Sequence, residues 1–304
     1  MGVSLGVILI THHGKTHLPH CLPPLLGSPL KPRILVVNSS SQDGTIELAQ
    51  EMGAETLLIP RAQFNHGTTR EKARKFLGTE IVAMMTPDAY PVDENVLEKL
   101  VRPLINKTAS VTYSRQIPHK GAAFFESFSR SFNYPPHVER RSLSDLSRLG
   151  VYTFFCSNAC AAYLNDALDE VGGFEPVLFG EDTAVVAKLL RKGHTLHYAA
   201  DAVVHHSHHY TLWQEFRRHF DIGLARKSFH HLFEGAGSDS ARGREYARML
   251  LEKNKSPYAL LHLVAKWSGY QIGRCSLNAP DWWKKKLSSQ DFYWVSEEYL
   301  KSKC

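Results

Sequence analysis

A chain of 304 residues with 43% hydrophobic and 22% charged residues has the composition of a globular protein, which excludes a disordered polymer and leaves room for one large domain plus an appendage. The net charge of +6 suits an anionic partner, and on charge alone nucleic acid, anionic lipid and nucleotide-sugar phosphates all qualify. No apolar run approaches the roughly 20 residues that span a bilayer, and no leader-like N-terminal segment is apparent, so the chain is expected to stay in the cytoplasm.

In chain order, Val3 to Ile10 is apolar and β-branched and predicts a first strand, followed by the loop Thr11-His12-His13-Gly14. Arg33 to Val37 predicts a second strand. Asn38-Ser39-Ser40-Ser41-Gln42-Asp43-Gly44 is a turn-rich loop before a helix from about Thr45 to Met52, which Gly53 stops. Leu57 to Ile59 reads as a short third strand and Arg70 to Leu77 as a helix. Ile81 to Met85 is an unbroken apolar run closed by Pro87, the pattern of a central strand buried on both faces. Asp88 lies just past its carboxyl end, where open α/β sheets bind ligands. Asp93 is the expected N-cap of a helix carrying Val96, Leu97, Leu100, Val101 and Leu104.

This alternation to about residue 106 predicts a doubly wound parallel sheet. Ala109 to Ser114 adds a strand. Pro118 to Gly150 loses periodicity and reads as an excursion lining the active face. Order returns at Tyr152 to Cys156, Asn165 to Val171 predicts a helix, and Glu181 to Leu190 a helix opened by Gly180; Thr195 to His205 supplies two short strands. A basic helix from Leu212 to about Phe229 precedes the linker Glu234 to Ser238 and a helical tail. Cys21, Cys156, Cys160, Cys275 and Cys304 make no Cys-x-x-Cys pair, so buried reduced thiols are expected.

Five groups could carry chemistry. Asp88, two residues after Thr86, is either a turn cap or a magnesium ligand, because that hard cation takes few protein carboxylates and fills its shell with water and phosphate oxygens. Glu181 and Asp182 at a helix start are explained by the helix dipole, or Asp182 is a general base. In the second case the dipole should lower its pKa and weaken it as a base. Of His205, His206, His208 and His209, alternation puts His206 and His208 on one face of a strand, where one of them could join Asp88. His66, Gly67 and Arg70 open a helix; Arg70 in the first turn opposes the dipole unless an anion offsets it, or it is a surface residue with Glu71 and Lys75 pairing across one turn. Arg217 and Arg218 could hold a diphosphate by charge-assisted hydrogen bonds, or form a solvated face.

As an ordered set these residues resemble the family-2 nucleotide-sugar glycosyltransferases of GT-A fold, and among them the bacterial rhamnosyltransferases. The resemblance is carried by Asn38 to Thr45, Phe64 to Arg70, Thr86-Pro87-Asp88-Ala89, Ser157-Asn158-Ala159, Gly172-Gly173-Phe174, Gly180-Glu181-Asp182, His206-Ser207-His208 and Gln214 to Gly223, and is extended by Gly269 to Arg274 and Tyr293-Trp294. It implies an α/β catalytic domain over residues 1–234, with a nucleotide-binding half (1–106) and an acceptor-binding half (107–234), and a helical tail over 235–304. It further implies that Thr11, Asn38, Ser40, Asp43, His66, Gly67, Arg70, Thr86, Asp88, Arg217 and Arg218 bind the nucleotide sugar. Ser157, Asn158, Gly173 and Phe174 would meet the sugar or acceptor, Asp88 and His206 would hold Mg2+ or Mn2+, and Asp182, beside Glu181, would be the catalytic base.

The implied reaction is an inverting transfer, with dTDP-L-rhamnose as donor and a surface polysaccharide or lipid-linked glycan as acceptor. Asn38 stands where the family has Asp, Thr86 where Asp-x-Asp has its first acid, and Pro87 and Glu71 replace Gln and Asn, so base recognition and metal dependence are open to change. Another UDP-, dTDP- or GDP-sugar donor and a non-catalytic nucleotide-sugar-binding module are the alternatives. Nucleic-acid binding lacks a recognition motif. In the tail, Leu260, Leu261, Val264 and Trp267 fall near one helical stripe and Trp282-Trp283 precede Lys284-Lys285-Lys286. The tail therefore reads either as peripheral on the inner membrane surface or as packed on the catalytic domain.

Overall fold

The computed structural model describes residues 3–237 and 240–302; Ser238 and Cys304 lie outside the described residues. Strand β1 (Leu5–Thr11) leads to helix α1 (Leu18–Leu26), β2 (Arg33–Asn38), α2 (Thr45–Glu51), β3 (Glu55–Leu58), α3 (His66–Leu77), β4 (Ile81–Met85), the two-residue β5 (Tyr90–Pro91) and α4 (Val96–Ile105). β6 (Val111–Ile117), α5 (Phe124–Asn133), β7 (Glu139–Arg141), the short α6 (Leu146–Leu149), β8 (Cys160–Leu164), α7 (Asn165–Glu170), α8 (Glu181–Arg191) and β9 (Leu196–His205) follow. The chain continues through α9 (Leu212–Ser228), α10 (Ser240–Lys253), α11 (Pro257–Cys275), α12 (Asp281–Leu287) and α13 (Glu297–Lys301).

The strands form one sheet in the order β3-β2-β1-β4-β8-β6-β9-β5, with β7 on β9. Period-2 geometry sorts their apolar runs. Ile8, Ile10, Leu35, Val37, Val82 and Met84 enter a core beneath α3, α7 and α8. Their neighbours Val7, Leu9, Ile34, Val36, Ala83 and Met85 enter a second core with α1 and α4. Both faces are covered, which is why these segments carry no polar alternation.

The sheet is mixed rather than parallel throughout. β8 lies antiparallel between β4 and β6, where a parallel strand would need a crossover connection. Sequence pattern missed β8 because Cys-Ala-Ala-Tyr-Leu has no β-branched residue; its burial comes from neighbours distant in the chain. The order expected at Tyr152 to Cys156 takes the form of a 3₁₀ turn, Gly150–Phe154, and α5 stands inside the stretch that lacked periodicity. α1 was missed because Pro23 and Pro24 break its hydrogen-bond ladder, yet Leu18, Leu22 and Leu25 at helical spacing are wholly buried. Asp93 accepts from Asn95 N at 2.8 Å two residues ahead of the helix cap, and Asn95 holds the cap position of α4.

The two short strands expected over Thr195 to His205 are one strand whose register against β6 jumps: Ser114 faces Ala199, and Arg115 faces Val203. The bulge re-aims the end of β9. β5 then pairs antiparallel there, Tyr90 opposite His205, and pulls the Asp88 loop beside the histidines.

The C-terminal helices pack on the α/β body through a helix crossing built on glycines. A Cβ on Gly269 would lie 2.3 Å from Phe216 O, one on Gly273 2.1 Å from Phe220 O, and one on Gly223 2.1 Å from Tyr270 O, so α11 and α9 meet backbone to backbone. Beyond α12 the chain is fastened by Arg217, whose Nε donates to Ser288 O at 2.8 Å, and by the buried Asp221, which accepts from Ser289 N at 2.7 Å. Phe292 then packs edge-on against Phe64 and His66. The opposite face of α11 leaves Leu260, Leu261, Val264 and Trp267 exposed, so one face of the tail is packed while the other is an open apolar stripe.

Candidate active site

A cavity of about 630 Å³ opens at the carboxyl ends of β4 and β6 and is lined, among others, by Asp88, Asp182, His206, His208 and Arg218. Asp88 follows β4. His206 continues β9, its N–H bonded to Ile117 O at 2.8 Å, and its Nε2 lies 3.4 Å from Asp88 Oδ2. His208 Nδ1 is 3.6 Å from the same oxygen. His205 donates toward Pro118 O and His209 pairs with Glu126, so alternation along the chain divides the cluster as expected, with His208 added to the pair first chosen.

Gln116 sets the tautomer of His206. Its Nε2 donates to Ser157 Oγ at 2.9 Å, which turns its Oε1 toward Arg130 at 2.7 Å and toward His206 Nδ1 at 2.8 Å. His206 Nδ1 must therefore carry the proton, leaving the Nε2 lone pair facing Asp88. Burial lowers the pKa of both His206 and His208, the latter to about 3, so both imidazoles are neutral at pH 7. Burial alone would raise Asp88; the adjacent imidazoles, His206 before His208, hold it well below the usual carboxylate range. One ionised carboxylate and two neutral imidazoles, with ligand atoms within 4.8 Å of one another, form a donor set in the protonation state a divalent cation requires.

The second pole stands at the start of α8. Gly180, at φ +78°, adopts the left-handed turn that aims Glu181 and Asp182 inward. Glu181 Oε1 is paired with Arg70 NH1 at 2.9 Å, both side chains at least nine-tenths buried, and accepts from Asn158 Nδ2 at 3.2 Å. Tyr163 OH donates to Asn158 Oδ1 at 2.7 Å and locks that amide. Asp182 Oδ2 accepts from Asn158 N at 3.2 Å, and Oδ1 from Thr183 N at 2.7 Å. Burial and then the neighbouring Glu181 charge push Asp182 up to about 6, reversing the expectation that the helix N-terminus would depress it. Burial opposes ionisation of Glu181 as well, but Arg70 and His66 hold its pKa down. His66 itself is lowered by burial to about 4. Two adjacent carboxylates are thereby separated: Glu181 is a fixed anion and Asp182 an adjustable proton acceptor.

Several predicted site residues have other work. Arg70 lines the cavity, but the anion that offsets the helix dipole is Glu181. Gly67 donates its amide to Asn65 Oδ1 and packs on Glu175 O, so the α3 N-terminus is capped. Glu71 binds Arg74, and Lys75 binds Asp169, in place of the pairing across one turn. Gly173 packs on the Glu71 carboxylate and Phe174 against Tyr163 in the core; neither lines the cavity. Arg217 likewise turns away from it to the tail, while Arg218 stays in it between the rings of Phe179 and Tyr210. Ser157, Asn158, Thr86 and His66 line it as expected. Gln116 and Arg130 were the members that sequence reasoning missed, because no local pattern signals them; His208 was already paired with His206 by the His-x-His alternation.

Thr11, Asn38, Ser40 and Asp43 form a separate cluster at the ends of β1 and β2. Asn38 Nδ2 donates to Thr11 Oγ1 at 3.1 Å and Ser41 Oγ at 2.8 Å, and its Oδ1 accepts from Ser41 N at 2.8 Å, so this wholly buried amide is held on both sides. Ser40 Oγ donates to Ile59 O. Burial of Asp43 is outweighed by hydrogen bonds from Thr45, Ser41 and the Lys15 amide, which keep it ionised.

Residues 28–221 match the family model described as glycosyltransferase like family 2. The chain is 32% identical over 311 residues, covering 99% of each protein, to the O-antigen chain rhamnosyltransferase RfbN of Salmonella typhimurium. It is 33% identical over 283 residues, 89% of each, to the O-antigen chain rhamnosyltransferase WbaN of Salmonella anatum. In fold it resembles a mannosyltransferase of Pyrobaculum calidifontis solved with GDP-Man and Mn2+, with TM-score 0.61 and 14% identity over 100% of this chain and 89% of that one. It also resembles S. aureus TarS, with TM-score 0.55 and 14% identity over 98% and 92%. With sequence and fold in agreement, the chain belongs to the family-2 glycosyltransferases of GT-A fold.

Proposed function

We propose that the chain transfers L-rhamnose from dTDP-L-rhamnose, with inversion, to a hydroxyl of a polysaccharide or lipid-linked glycan. The observation that carries this reading is the pairing in one cavity of Asp182, with its raised pKa, and the Asp88/His206/His208 set; the near full-length likeness to rhamnosyltransferases supports the sugar. Asp182 takes the proton of the acceptor hydroxyl as its oxygen attacks the anomeric carbon, and the carbon–diphosphate bond breaks on the opposite face. Glu181 stays ionised and keeps Asp182 basic. Arg218 and Arg130 supply positive charge beside the departing phosphates. Thr11, Asn38, Ser40 and Asp43 hold the base and ribose end.

A cation on Asp88, His206 and His208 would offset the charge that develops on the diphosphate. Two imidazoles suit magnesium poorly, so manganese is the better fit. Among the described residues no helix is long and apolar enough to cross a membrane. We further propose that the exposed face of α11, with Trp267 66% exposed, and the exposed Trp282, Lys285 and Lys286 rest on an anionic membrane surface. Flotation with phosphatidylglycerol but not phosphatidylcholine vesicles would support that contact.

The deciding experiment is turnover of a panel of dTDP-, UDP- and GDP-sugars with manganese or magnesium. Release of dTDP from dTDP-rhamnose, favoured by manganese, is expected; turnover of another sugar alone would overturn the donor.

A further inference from the structure

Beyond Asp182 the cavity extends under the tail helix, where a second polar group sits that the chemistry above does not use. Glu215, in the first turn of α9, is 8% exposed, and His262, on α11, is 2% exposed. His262 Nε2 has no hydrogen-bond partner, an arrangement that costs free energy unless something supplies one. The facing atom is Glu215 Oε1 at 4.0 Å. That gap is too long for a direct hydrogen bond, yet a hydroxyl oxygen placed about 2.8 Å from each could donate to the carboxylate and accept from the imidazole. The glycine crossing of α9 and α11 sets the spacing.

Beside this pair stand two aromatic rings. Phe125 on α5 lies 4.7 Å from the His262 ring and 5.2 Å from Tyr258, and all four residues line the same cavity as Asp182. An aromatic face next to a carboxylate and an imidazole matches the two surfaces of a pyranose, one of C–H groups and one edge of hydroxyls. Burial and then Lys266 lower His262 to about 4, so it meets a ligand as a neutral imidazole.

Resting on the glycosyltransferase reading above, we infer that Phe125, Glu215, Tyr258 and His262 form the acceptor-sugar subsite. A pyranose of the growing glycan packs on the Phe125 and Tyr258 rings, and one of its hydroxyls bridges Glu215 and His262. The tail thus supplies half of the acceptor pocket, and Gly173 and Phe174 supply none of it.

The test uses the full chain, dTDP-rhamnose labelled in the sugar, and a detergent extract of membranes from cells lacking the gene for this chain, in which the unextended acceptor accumulates. Initial rates are measured against extract concentration for wild type, Tyr258→Ala and Glu215→Gln, with dTDP affinity and the melting temperature measured in parallel. Tyr258 is 43% exposed, so its truncation leaves folding intact. A rise of tenfold or more in the extract needed for half-maximal rate, with donor KM and dTDP affinity unchanged, is expected for both variants. An unchanged extract dependence in Tyr258→Ala, or donor and acceptor constants rising together, would overturn the subsite. Wild type that binds dTDP but transfers no label would overturn the rhamnosyl-transfer reading on which the subsite rests.

Discussion

Asp88 and Asp182 are both aspartates in one cavity, and their surroundings drive them apart. Asp88 faces two imidazoles and stays ionised, whereas Asp182 lies against the fixed charge of Glu181 and is pushed up to about 6. Burial penalises both charges, so the neighbours decide: imidazoles beside Asp88 leave it ionised, and the like charge of Glu181 raises Asp182 toward the range of a base. The same cavity can thus present a cation site and a proton acceptor with one residue type.

The comparison breaks most completely at Asp182. Asp182→Asn keeps the size and loses the base, so transfer should fall by roughly 10²–10⁴-fold with dTDP affinity retained; a smaller loss in initial rate would remove Asp182 from that role. Next is the ion pair that maintains the difference. Arg70→Met leaves Glu181 buried and unpaired, and should cost about 3–5 kcal/mol in urea unfolding. It should also shift the acid limb of the rate profile, because Glu181 would no longer be held as an anion.

At the other pole, Gln116→Leu removes the acceptor that fixes the His206 tautomer. The manganese concentration for half-maximal rate should rise about 10–100-fold, with little change in rate at saturating metal; an equal fall at all metal concentrations would make Gln116 merely structural.

The smallest effect is one of pH. A carboxylate whose folded pKa lies above its unfolded value stabilises the fold below that unfolded value, and this contribution is lost as pH rises from about 4 through about 6. Activity needs the ionised form and so rises over the same window. Asp182→Asn should therefore lie closer to wild type in melting temperature at pH 4 than at pH 8, where it should be the more stable protein. A constant difference across that range would contradict the raised pKa.

Several elements could be read without coordinates, because their signals are local. The runs at Leu5–Thr11, Arg33–Asn38 and Ile81–Met85 are apolar on both faces of the sheet, and Gly180 before Glu181-Asp182 marks a helix start. These features follow from backbone geometry within a few residues, as does the placing of His206 and His208 on one side. The likeness of ordered motifs named the family for the same reason.

Tertiary structure alone decided the rest. β8 is a strand because β4 and β6 flank it, and α1 is a helix because its leucines find a core despite two prolines. Arg70 looked like an anion site until Glu181, 111 positions along the sequence, proved to be the anion. The pKa of Asp182, the tautomer of His206 and the 4.0 Å gap between Glu215 and His262 depend on groups from separate elements. Local sequence determines which conformation a segment prefers; charge and hydrogen bonding act across distance in space, which only the folded chain defines.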